Sequence, residues 1–320
     1  MNQNEEAKLL LGKRLADAPQ LAKGEQKDDQ VFRDRCYDRW KDGLDLLVAF
    51  ITTSEDLGQT ILKREKQAAS RKNDHKFAAA FTLHARGLMV SKEILSLLRN
   101  GFPDGALSRW RSLHEIAVVA TLLKKNDAEV AQRFLEYRGI EECKALEQFA
   151  EYHERLGIEP PRPEDMSATK TRRNFLVGKF GEEFGKENGW AYPIIKNKEG
   201  TPRKPRIPFD ALEKAAELDH CRPFYKWASD VVHAGPKPPW SYLGTSEVPP
   251  ENGMLLTGSS DSGFTDPAQF CAISLNLVNH AIPEQYLTDF EKTCLDALRL
   301  WSDLISEVFF EIEFGDSQQS

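Results

Sequence analysis

Proline placement constrains this chain more than any other feature. It has 17 prolines, yet only Pro103 falls between residues 31 and 156. Over that stretch apolar residues recur at i, i+3, i+4 and i+7, the period of an amphipathic helix. Phe77, Phe81, His84, Leu88, Ser91, Leu95 and Leu98 form one such stripe. The run Asn100-Gly101-Phe102-Pro103-Asp104 stops one helix and starts the next, with Gly past the end and an acidic residue in the first turn. The pattern predicts helices near 30–70, 75–99, 104–125 and 127–157. Pro160, Pro161, Pro163, Pro193, Pro202, Pro205 and Pro208 then prohibit a long helix, leaving room for one near 170–188. Further helices are predicted at 209–218 and 220–233. Residues 234–266, rich in Gly, Pro and Ser, read as a long loop or lid. Pro267 suits the first turn of a helix, Pro283 breaks that pattern, and a last helix is predicted over 284–311.

No alternating run argues for a substantial sheet. The expected fold is all-α: an irregular bundle of long antiparallel helices, with a Pro-rich middle segment and a long loop before the C-terminal helices. Residues 1–28 read as a charged extension, a frayed helix plus linker. Residues 29–311 read as one domain, with 75–236 and the helices of 267–311 inside it, and 312–320 as a flexible tail.

Composition excludes several function classes. No apolar run approaches the ~20 residues of a membrane span; the longest candidates are 44–51 and 116–123. The first residues are polar and acidic, unlike a signal peptide. The 5 cysteines are odd in number and show no CxxC spacing, which favours reduced thiols in a cytoplasmic protein over a zinc site. His114-Glu115 is followed by Ile116-Ala117-Val118, so there is no HExxH. Neither a P-loop nor a GxGxxG motif occurs, and no metal or cofactor is expected. The net charge is −7, but residues 162–206 hold eleven Lys/Arg against six Asp/Glu. That stretch also contains Phe175, Phe180, Trp190 and Tyr192. It reads as a solvated segment or, as the sharper alternative, an RNA contact.

Two constellations place polar residues where apolar ones are expected. Leu107, Arg111, His114, Glu115, Val118 and Leu122 share one face of the helix at 104–125, whose other faces are also apolar. A helix apolar all round is buried all round, which predicts an interior Arg111–Glu115 pair. Arg86 and Glu93 likewise lie among Ala79, Leu83, Val90 and Leu97. Such charges serve either to pin helix register or to line a cavity for an anionic or polar ligand. The second constellation is the run from Tyr225 through Lys226, Trp227, Ala228, Ser229, Asp230, Val231 and Val232 to His233, before Ala234-Gly235. Ser229 and His233 stand one turn apart, and His233 is either a helix cap or a general acid/base at the mouth of a lid. Phe224, Trp227, Ala228 and Val231 are expected to make the apolar face of this helix. Packing its polar stripe over the charged helix would bring His233 to Arg111 and Glu115.

These two runs, with Leu97-Leu98-Arg99-Asn100-Gly101-Phe102-Pro103-Asp104-Gly105-Ala106 before them, resemble the bacterial helical family catalogued as domain of unknown function 5677. The resemblance covers roughly residues 75–236. It implies an all-α fold without an established reaction, and its pattern maps onto Arg86, Arg111, Glu115, Ser229 and His233. The chain is also distantly similar to the HEPN superfamily of helical RNA-cleaving toxins and defence effectors. Arg109 and His114 have that superfamily's Arg-to-His spacing, although Trp110 replaces the usual small polar residue, and Lys226 rather than Arg precedes His233. This similarity implies metal-independent RNA cleavage at a site shared across a homodimer, with Arg holding the phosphate and His exchanging protons with the ribose 2′-hydroxyl. For an enzyme, His233, Arg111, Glu115 and Ser229 are the expected catalytic residues and Arg86, Arg109, His114 and Tyr225 the expected ligand-binding ones. The competing expectation is a non-catalytic ligand-sensing or interaction module with an Arg/Glu/His pocket.

Overall fold

The turn at Gly101 builds the central hairpin. Gly101 has φ of 77°, in the left-handed region, and any Cβ there would strike the Phe32 ring. The amides of Gly101 and Phe102 close the end of the first helix on the carbonyls of Leu98 and Leu97, both at 2.9 Å. Pro103 then occupies the first helical position, where its missing N–H costs nothing. The two helices so joined are α2 (His75–Arg99) and α3 (Pro103–Lys125), preceded by α1 (Gln3–Arg71).

A computed structural model describes residues 3–199, 206–233, 235–253 and 255–315. After α3 come α4 (Ala128–Glu136), α5 (Arg138–Leu156), α6 (Pro163–Phe180), α7 (Tyr192–Glu199), α8 (Phe209–Ala216), α9 (Arg222–Val232), α10 (Thr265–Asn279) and α11 (Asp289–Phe314). Among the described residues there is no strand, and the fold is all-α.

The core lies where α1, α2, α3, α10 and α11 meet. Trp40 stacks on Phe264 and Phe309 at centroid distances of 4.8 and 5.5 Å. Trp110 stacks on Phe270 at 4.7 Å while its indole N–H donates to Ser274 at 2.9 Å. Every member of the Phe77–Leu98 stripe is buried. His84 is accommodated because α1 carries Gly58 opposite it; a Cβ at that position would overlap the imidazole.

Several boundaries differ from the sequence expectation. No linker separates an N-terminal extension: α1 is continuous through residue 28, with Pro19 inside it, and residues 3–31 are exposed on every side. The helix expected over 127–157 is broken at Tyr137, where α4 ends and α5 begins. The next helix begins at Pro163 rather than near 170, because proline is tolerated in a first turn. α11 runs to Phe314, so the expected tail is helical at its start; residues 316–320 lie outside the described residues.

Four cations of the basic middle segment are ion-paired: Arg162–Asp165, Arg172–Glu136, Lys186–Glu183 and Arg206–Glu187. Of its aromatic residues Trp190 is buried and Phe175 is 60% exposed. The buried Arg133 organises this region, donating to the carbonyls of Trp190, Phe180 and Gly189 at 3.2, 3.3 and 3.2 Å.

The loop after α9 is a strap rather than a lid. The Asp104 carboxylate, in the first turn of α3, accepts the amides of Leu243 and Gly244 at 3.0 Å each. Ser260 donates its amide to Gly101 O at 2.9 Å, and Trp40 Nε1 donates to Asp261 O at 2.8 Å. Arg39 pairs with Glu247. The strap therefore closes the end of the bundle where α1, α2 and α3 come together, about two to three turns away from the charged middle of α3.

Candidate functional site

α3 is buried along most of its circumference. The remaining strip, Ser108, Arg111, Ser112, Glu115 and Val119, recurs at helical spacing and is only half-buried. The Arg111–Glu115 pair expected in the interior lies on this strip: the two side chains are 28% and 44% exposed, and Arg111 Nε stands 3.4 Å from Glu115 Oε1. Arg111 shares its direction on α3 with the buried Val118 and Leu122, so the correction there is one of packing: that direction is partly open at the level of Arg111. Glu115 stands about 40° farther round, toward Ser112 and Val119. Arg86, expected among aliphatics, stands at the edge of the buried face of α2 and is exposed, while its neighbours Leu83 and Val90 are buried.

The interior charge is elsewhere. His114 is 2% exposed, and its Nε2 lies 2.9 Å from Oε1 of Glu213, which is fully buried on α8. The other oxygen of Glu213 accepts from Arg222 Nη1, at the start of α9, at 2.5 Å. A carboxylate only accepts, so the proton on the His114 side sits on Nε2. His114 also packs against Trp110, Phe209 and Tyr225 at 5.3, 6.1 and 5.8 Å.

Tyr225 joins this buried network to the half-open strip. Two guanidinium groups lie over its ring, Arg111 at 4.7 Å and Arg222 at 5.1 Å. Its hydroxyl donates to Glu115 Oε1 at 2.6 Å. Burial, and secondarily the Glu115 carboxylate, pushes the phenol up to about 12. Arg111 Nε, buried and 3.4 Å from that same Glu115 oxygen, is ion-paired to it without forming a hydrogen bond.

Four sequence-predicted residues thus come together: Arg111, His114, Glu115 and Tyr225. The other four do not join them. Arg109 is ion-paired to Glu93 of α2 and donates to Ser112 Oγ at 2.9 Å. The Ser229 hydroxyl donates to Tyr225 O at 2.8 Å and is spent on its own helix. His233 is the exposed cap of α9, its amide bonded to Ser229 O at 3.0 Å. It lies two turns, about 12 Å, along the axis from Tyr225. Arg86 stays on the outer face of α2. Within α9 the expected faces are exchanged in part, since Tyr225 and Ala228 are buried and Trp227 is 54% exposed.

Glu213 and Arg222 were missed by sequence reasoning. The available signal was Glu213 inside the apolar run Leu212, Ala215 and Ala216, all four of which are buried. Among the described residues, no group of three or more His, Cys, Asp or Glu side chains is placed to hold a metal ion. No helix among them is long and apolar enough to cross a membrane.

The fold and site define an all-α protein with a charged, aromatic-centred strip beside a sealed His–Glu–Arg network. The chain belongs to the family of unknown function DUF5677, whose model matches residues 77–249. Arg111, His114, Glu115, Glu213, Arg222 and Tyr225 all lie within that span. No curated protein and no solved structure matches the chain.

Proposed function

We propose that this chain is a non-catalytic binding module that recognises a carboxylate- or phosphate-bearing ligand on the Arg111–Tyr225–Glu115 strip. The observation that carries this reading is the Arg111 guanidinium, which lies 4.7 Å over the Tyr225 ring and is partly exposed. Its neighbour Glu115 also accepts from the Tyr225 hydroxyl. A guanidinium presents paired donors that match carboxylate and phosphate oxygens. Arg222, paired to Glu213, also lies over the Tyr225 ring, at 5.1 Å. Metal-independent RNA cleavage is less well supported by this geometry. Arg109 and His114 have separate acidic partners, and His114 is sealed from any substrate.

Thermal melts with inorganic phosphate and with citrate test the assignment. The wild type is expected to melt higher with either anion, and Arg111→Gln is expected to lose that rise while keeping its anion-free Tm within a few degrees. Equal shifts in both proteins would remove the strip from consideration. RNA cleavage by the wild type that disappears in His233→Ala would transfer the assignment to a nuclease.

A further inference from the structure

We propose that a cleft at the C-terminal ends of α3 and α10 binds a free α-amino acid with an apolar side chain. It is a second site, distinct from the Arg111–Tyr225 strip: Lys124, on its rim, stands about 14 Å beyond Glu115 along α3. The cleft has two chambers, which share Lys124, Ile282 and Glu284. One, of about 240 Å³, is walled by Ala80 and Leu83 of α2 and by Ala120 and Leu123 of α3. The other, of about 280 Å³, is lined by His280, Lys292, Leu295 and Asp296. Each is smaller than the ~300–1,000 Å³ of a site for a drug-sized molecule, so the occupant is small.

The walls are fixed by the chain itself. Tyr286 anchors the turn between α10 and α11: its hydroxyl donates to Asp74 Oδ2 and its carbonyl accepts from Arg64 Nη2, both at 2.7 Å. Lys76 Nζ donates to the carbonyls of Lys124 and Asn126 at 3.2 and 2.8 Å, which satisfies the end of α3.

The charges select the ligand. Lys76 is spent on those carbonyls, and Lys292 is paired with Asp289 at 3.1 Å. Lys124 and Glu284 differ. Both are exposed where the two chambers join, and among the described residues neither side chain forms an ion pair or hydrogen bond, with the other or elsewhere. Opposite charges that share a cleft without closing on each other fit a molecule that carries both: a carboxylate for Lys124 and an ammonium for Glu284. Burial, and secondarily Lys124, pushes His280 down, so its ring is neutral at pH 7 and adds no further charge. Its Nε2 is buried without a hydrogen-bond partner, a polar atom for which the chain supplies no company. An amino acid carries both charges and its side chain on one carbon, and the cleft sets both charges beside one apolar chamber.

Calorimetric titration of the full chain with L-leucine and L-phenylalanine tests the assignment, and saturable binding of at least one is expected. With leucine as the reference, isocaproate lacks the ammonium, isoamylamine lacks the carboxylate and glycine lacks the side chain. Each is expected to bind at least roughly tenfold more weakly. Lys124→Gln and Glu284→Gln are expected to weaken the amino acid to the same degree while melting with the wild type, because both side chains lie at the surface. Arg111→Gln is expected to bind it as the wild type does, which separates this cleft from the anion strip. No binding of either amino acid, isoamylamine or isocaproate as tight as leucine, or unchanged binding in either cleft variant would each overturn the proposal.

Discussion

Replacing Glu213 by Ala is the most informative single perturbation of the core. The carboxylate is fully buried and accepts from His114 at 2.9 Å and from Arg222 at 2.5 Å. Its removal leaves His114, itself 2% exposed, with a polar nitrogen facing an empty space. Arg222 loses its partner as well, but it is 33% exposed and water replaces part of that loss. Breaking a buried charge pair by deleting one member costs about 3–5 kcal/mol. At roughly 2–4 °C for each kcal/mol, the melt should fall by roughly 6–20 °C. Urea unfolding should show a lower midpoint at unchanged slope, since the surface exposed on unfolding is the same. The variant pair Glu213→Leu with His114→Leu sharpens the test. Removing both polar partners together should cost less than the two single changes added, by about 0.5–3 kcal/mol. A melt of Glu213→Ala within about a degree of wild type would refute the reasoning, because no sealed network can lose its central acceptor without effect.

Four further outcomes follow from the same geometry. His84 is held down at about 4 by burial, against which its hydrogen bond to Asn279 works, and Glu291 is held at about 2, chiefly by Arg64. Both folded values lie below the unfolded ones, so both contributions are complete above about pH 6.5. Stability should then fall between pH 6.5 and 4 through His84, and between pH 4.5 and 2 through Glu291, by about 3 kcal/mol each; urea midpoints read this, and His84→Gln should flatten the upper step. Gly58→Ala forces a methyl into His84, which Asn279 holds at 3.1 Å, and should cost about 1–3 kcal/mol in a urea melt. Arg111→Ala should cost no more than about 1 kcal/mol by the same measure, because the Arg111–Glu115 pair is reached by solvent. Tyr225→Phe removes the hydroxyl bonded to Glu115; the carboxylate is then left to Arg111 alone, their existing pair tightens, and the anion-induced rise in Tm should shrink.

What the sequence revealed was governed by periodicity. Every residue of the Phe77–Leu98 stripe is buried, and the Gly101 turn joins the helices it was expected to join. The exposure of the charges on α3 was read less well. Arg111 points the same way as the buried Val118 and Leu122, so periodicity places it inside, and only the packing at its own level leaves it partly open. The meeting of Tyr225 with Glu115 was foreseeable from the polar stripe of α9, but its level was not. The stripe runs along the helix, and only packing fixes which turn lands on the charges, so Tyr225 arrived and His233 did not. Glu213 and Arg133 were missed for a different reason. Arg133 is buried by carbonyls that come from residues 180–190, far along the chain, and for Glu213 the local apolar run hinted at burial without naming His114 as its partner.

The continuity of α1 through residue 28 has a consequence for the outline of the molecule. A compact chain of 320 residues has a radius of gyration of about 20 Å, and the exposed stretch of α1 over residues 3–31 is by itself about 43 Å long. X-ray scattering should therefore give a distance distribution with a long tail beyond the body, and trimming those residues should remove the tail while leaving the Arg111–Tyr225 strip, built by α3 and α9, as it is.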